Sequence, residues 1–135
     1  MCLLLVKDEP KIDFKQGEAI AYKLFLVDGW DLFSAFLGYP VIFSEYSDRD
    51  GYKVQSGRLS PKLDEAERQN KLVEIGIHAL LDKEDADMVV GLMDVVHQKH
   101  LKVLPVKVLK KDLVATGLWD GTNSKCAVFT NVYIS

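Results

Sequence analysis

Cysteine is scarce in this chain. Cys2 and Cys126 are its two thiols, and they stand at opposite ends of 135 residues. Two distant cysteines do not make the disulfide framework of a small secreted domain, which points to reduced thiols and a cytoplasmic compartment. Positive charge is not in excess either: 17 Lys and Arg against 20 Asp and Glu leave a formal charge of −3. That balance argues against broad, charge-driven binding to nucleic acid or anionic lipid. Long apolar runs are missing too. Leu3-Leu4-Leu5-Val6 is too short for a secretory signal, lacks a basic flank and runs into Lys7-Asp8-Glu9. No segment reaches the uninterrupted apolar length of a membrane span.

Several chemical signatures are absent from the text of the chain. There is no phosphate-cradling glycine loop, nucleophile elbow or kinase motif. Cys2, Cys126, His78, His97 and His100 show no paired spacing of the zinc kind. The acidic run from Asp82 to Asp87 lacks the glycine and closing glutamate of a calcium loop. Neither a metal nor a cofactor is expected.

What is present is a well-supplied core. With 48% hydrophobic residues, the chain suits one domain over residues 1–135 that buries roughly two-thirds of its unfolded surface. The organising stretch is Val73 to His100. Val73 to Leu81 reads as one buried strand, and Lys83 to His97 as the main amphipathic helix. Asp82 suits the N-cap, and Glu84, Asp85 and Asp87 put negative charge at the positive end of the helix dipole. Ala86, Val89, Val90, Met93 and Val96 form an apolar stripe at helical spacing. Gly91 weakens that helix by about 1 kcal/mol relative to Ala, which suggests a close backbone approach.

Around this unit the spacing predicts strands at Cys2–Val6, Ala19–Val27, Val41–Tyr46, Leu101–Leu109 and Cys126–Ile134, a further strand or bulged turn over Leu113–Trp119, and a short edge strand at Tyr52–Val54. Ile12 to Glu18 reads as a connector and Ser47 to Gly51 as an exposed loop. Ser60-Pro61 suggests the start of a charged surface helix running to Asn70. The fold class expected is α+β: one domain, a mostly antiparallel or mixed sheet packed against one main helix plus a short surface helix.

Three sets of residues compete for a role. His78 lies in an apolar strand just before the helix, where a neutral imidazole must find a partner; with Cys126 or a nearby acid it could serve a small enzyme acting on a nucleotide-like or acyl substrate. A core histidine bonded to backbone is the commoner outcome. Trp30, Phe33, Tyr39, Tyr46 and Tyr52 belong to an aromatic-rich quarter of the chain and would make a contact surface if exposed. Lys107, Lys110 and Lys111 read as a solvated rim.

The opening Met1-Cys2-Leu3-Leu4-Leu5-Val6-Lys7-Asp8-Glu9-Pro10, the Ala21-Tyr22-Lys23 strand, Gly76-Ile77-His78-Ala79 before an acidic helix start, and Val106-Lys107-Val108 resemble a group of small uncharacterised tailed-bacteriophage proteins. The resemblance implies a phage or prophage origin and a role in the host cytoplasm, and it carries over no catalytic residue. The leading expectation is a non-enzymatic binding protein that inhibits host physiology or defence by engaging a host protein or a small signalling ligand. The enzymatic reading at His78 is the alternative. A structural or virion-associated homo-oligomer is the third, and would need a large symmetric apolar interface.

Overall fold

Ala19 to Val27 is the most strand-like text in the chain, and it forms the longest strand. In the computed structural model, which describes residues 3–7, 10–28, 31–34, 46–49, 52–56, 62–73, 76–92, 101–119 and 123–134, the elements run in chain order as follows. They are β1 (Leu3–Leu4), β2 (Glu18–Asp28), β3 (Asp31–Ser34), β4 (Tyr46–Arg49), β5 (Tyr52–Ser56), α1 (Glu65–Asn70), β6 (Leu72–Val73), β7 (Ile77–Leu80) and α2 (Lys83–Leu92). Then come β8 (Leu101–Leu109), a 3-10 turn (Lys110–Asp112), β9 (Leu113–Trp119), β10 (Lys125–Phe129) and β11 (Asn131–Ile134).

The described strands form one 11-stranded sheet in the order β4-β5-β11-β8-β2-β7-β10-β9-β1-β6, with β3 paired to β2. Every pairing among the described strands is antiparallel. No described helix is long and apolar enough to cross a membrane.

The α+β expectation is overturned by this architecture. Alternation along β2 and β8 sends Leu24 and Val103 to one core and Ala21, Phe25, Val106 and Val108 to another. The first core takes Ala86, Val89 and Val90 from α2. Among the described residues the second contains none from a helix; strands close it, with Ile12 and Phe14 packed alongside. A helix backing one of two cores does not balance eleven strands. The protein is sheet-dominated.

Several local expectations change for identifiable reasons. Val73 and Ile77 fall in separate strands, because Gly76 takes φ +119°, a conformation that side chains resist. A Cβ at Gly76 would also press on Val128. Consequently β6 pairs with β1, whereas β7 pairs with β10 and β2. The closing strand breaks at Thr130. Its main-chain N–H donates to the Asp112 carbonyl, 2.8 Å away. The buried Asp112 carboxylate accepts from Thr130 Oγ1 (3.2 Å), Asn131 Nδ2 (3.3 Å) and Tyr133 OH (3.4 Å). This turns β11 towards β5 and β8 instead of continuing beside β9.

Ser47 to Arg49 is not a loop but part of β4, paired with β5. The surface helix starts later than Ser60-Pro61 suggests: Asp64 accepts from the Glu67 N–H at 2.7 Å, and Glu67 reaches back to the Asp64 N–H, a capping box. Among the described residues nothing lies within 4 Å of the position a Cβ on Gly91 would take, so no close approach by any of them accounts for this glycine. Val41 to Glu45, Ser60-Pro61 and the predicted helix from Met93 to His97 lie outside the described residues.

Pro105 sits within β8 opposite Tyr22. Tyr22 also bridges Leu80 of β7, on the far side of β2. The ladder alternates between bonded and unbonded pairs, so Pro105 occupies a position where β2 needs no donor from it.

Candidate functional site

The connector before β2 builds a wall. Gln16 and Gly17 both have positive φ, 55° and 78°, a two-residue turn of the hairpin kind. It lets Lys15 N–H donate to Glu18 O (2.9 Å) and Glu18 N–H donate to Lys15 O (3.1 Å). Lys15 is thereby set beside Glu18 at the start of β2, and Lys11 to Asp13 line the groove that opens beside this strand.

On the other side of β2, the ladder with β7 is a single pair, Tyr22 with Leu80. Continued, that register would set Ile20 opposite Asp82. Asp82 has another obligation: its carbonyl accepts from the Ala86 N–H at 3.1 Å, the first bond of α2. Leu81 N–H meanwhile donates to Lys125 O at 3.0 Å, which holds it to β10. The two strands therefore part after Leu80, and a groove of about 720 Å³ opens between them.

Lys11, Lys15, Lys107 and Lys125 border this groove, with Asp13, Glu18 and Asp82 among its other walls. Four cations against three carboxylates leave a local +1 on a chain whose formal charge is −3. Glu18 is already engaged by Lys107 at 3.2 Å. Ile20 is 56% exposed among them. A second groove of about 730 Å³ lies across the same wall and shares Lys11, Ile12 and Asp13; Lys7 and Lys110 add to its positive rim.

The histidine and thiol lie elsewhere. His78 is 3% exposed; its Nε2 is 2.9 Å from Val73 O and its Nδ1 is 3.3 Å from Gly76 O. Burial lowers its pKa to about 4, so at neutral pH the ring carries one N–H, and the shorter contact to Val73 suits it best. Lys23 is as deeply enclosed. Its Nζ donates to His78 O at 3.2 Å and lies 5.7 Å from the centre of the Phe25 ring. Desolvation brings its pKa down to about 7, opposed by the thiol of Cys126. Burial pushes that thiol up to about 12, despite the nearby lysine. A thiol so strongly protonated is a poor nucleophile.

Imidazole, amine and thiol are thus each buried inside the sheet, and none of them lines either groove. Among the described residues, no three of His, Cys, Asp and Glu are grouped to hold a metal ion. Of the aromatic candidates, Phe33, Tyr46 and Tyr52 have their backbones in β3, β4 and β5, whereas Trp30 and Tyr39 lie outside the described residues.

Sequence reasoning did not bring Lys11, Lys15 and Lys125 together with Lys107. The local signal available was Gln16-Gly17, a turn that doubles a lysine-bearing segment back on β2. No protein-family model, curated protein or solved structure matches this chain.

Proposed function

We propose that this chain is a non-enzymatic binding protein that captures an acidic partner at the lysine-bordered groove between β2 and the Leu81–Asp82 corner. The observation that carries this reading is the convergence of Lys11, Lys15, Lys107 and Lys125 on an open concavity with the exposed Ile20. Cations around an apolar patch favour a ligand that brings carboxylates or phosphates beside an apolar surface. The phage-like stretches of sequence support a host protein as the partner and the bacterial cytoplasm as the place of action.

The test compares immobilised wild type with a Lys15→Glu/Lys125→Glu variant in capture from bacterial lysate. Raising salt from about 0.1 M to about 1 M shortens the screening length from roughly 10 Å to roughly 3 Å. A partner held by wild type at the lower salt should be released at the higher, and should not be retained by the double variant. A partner equally well retained after charge reversal would remove the groove as the binding surface. Including Tyr46→Ala in the same comparison reports on the aromatic stretch separately.

A further inference from the structure

We infer that the groove takes an acidic peptide segment in extended conformation, one residue of which pairs with the main chain of Ile20; this rests on the binding reading above. The reason is where the hydrogen-bonding groups of β2 point. Both main-chain groups of Glu18 are committed to Lys15, away from β8. In an antiparallel ladder successive residues alternate sides, so the N–H and C=O of Ile20 also turn away from β8, as do those of Tyr22. Tyr22 meets Leu80 there. Ile20 would have met Asp82, had Asp82 not begun the helix.

A donor and an acceptor therefore face the groove at the spacing of one strand residue, between two positions that are already paired. An extended peptide residue offers the reciprocal acceptor and donor at that spacing. Phosphate or a nucleic-acid backbone could satisfy lysines, but provides no such matched pair. A second copy of this chain would bring the same lysines against themselves, the like-charge arrangement by which edges resist self-pairing. Alternate side chains of an extended guest fall on one face, about 7 Å apart. An apolar residue can then cover Ile20 while acidic neighbours reach Lys15 and Lys125.

The experiment uses the whole chain, labelled with nitrogen-15, and two probes. One is a capped peptide of about eight residues alternating Glu and Val; the other is inositol hexakisphosphate, which tests charge alone. Two further peptides carry N-methyl groups on every valine or on every glutamate. Ile20→Pro removes the groove-facing N–H without removing a bond to β8.

Strand addition predicts that the plain peptide binds and that the Ile20 amide becomes protected from exchange. It also predicts that affinity falls about tenfold or more with the valine-methylated peptide, with Ile20→Pro and with Lys15→Glu/Lys125→Glu. The glutamate-methylated peptide should keep its affinity. Lysine-dependent binding that ignores valine methylation, or lysine-dependent binding of the phosphate probe alone, would overturn strand addition and leave the groove as an anion site. If neither probe binds in a lysine-dependent way, both readings fall. The methylated peptides decide the matter even if Ile20→Pro does not fold.

Discussion

Lys23 and Lys125 belong to the same sheet and meet opposite fates. Lys125 is exposed at the rim of the groove. Lys23 is 1% exposed, and the low-dielectric interior brings its pKa to about 7. One residue type gives a groove-lining side chain in one region and a pH-sensitive core amine in the other. The difference lies in the neighbours. Around Lys23 the ladder with β8 is continuous and the side chain is enclosed, whereas at Ile20 the ladder with β7 is interrupted so that the helix can start. Lysine count or net charge says nothing of this.

The contrast can be broken most severely with acid. His78 titrates near 4 in the folded chain against 6.5 when free, so between these values the unfolded chain takes up a proton that the folded chain refuses. Stability should be lost as pH falls from about 6.5 to 4, by roughly 3 kcal/mol. Denaturant midpoints across that range would show it, and His78→Gln should remove the slope. A flat profile would mean that water reaches the imidazole.

The corresponding change on the alkaline side belongs to Lys23. Its folded pKa of about 7 lies below the free value of 10.5, so the unfolded chain binds more protons in between and stability rises with pH. From pH 7 to 9 the gain should be about 3 kcal/mol, and Lys23→Met should abolish it. Above about pH 9 the rise should level off. Cys126 stays protonated in the folded chain up to about 12, while the free thiol ionises near 9, and this opposes the lysine.

A middle-sized effect is expected at the Thr130 corner. Asp112→Ala removes the buried carboxylate that accepts from Thr130 Oγ1, Asn131 Nδ2 and Tyr133 OH, at a cost of about 1–3 kcal/mol in unfolding free energy. Smallest of all should be the groove. Lys15→Gln or Lys125→Gln should change stability by less than about 0.5 kcal/mol, since exposed substitutions seldom do more. The same variants should weaken partner capture, which sharpens the distinction between a region that holds the fold and one that holds a ligand.

Much of the sheet was legible residue by residue. Leu101–Leu109 is a strand at the bounds read from alternation and β-branched content, Leu113–Trp119 takes the strand form of the strand or bulged turn its text allows, and the β2 region was equally clear. Asp82 marks the helix start for reasons internal to five residues. The tight turn at Gln16-Gly17 and the break at Gly76 were less readable. Each depends on left-handed backbone geometry that the sequence tolerates without demanding it. The α+β reading failed because a helix announces itself through several residues at once. Short strands such as β4 or β6 do so only through partners far along the chain.

The sequence by itself determined which segments would be extended, where the described helix α2 would begin, and that the solvated surface would carry slightly more negative than positive charge. Period, capping and charge are properties of neighbouring residues, so they survive without a fold. Only the tertiary structure decided that Lys23, His78 and Cys126 would each be sealed from water, and that Ile20 would be left facing lysines across a parted ladder. Those outcomes follow from registers joining residues some 60 positions apart, Tyr22 with Leu80 above all. Local propensity contains no term for such a distance; packing and hydrogen-bond satisfaction across the sheet supply it.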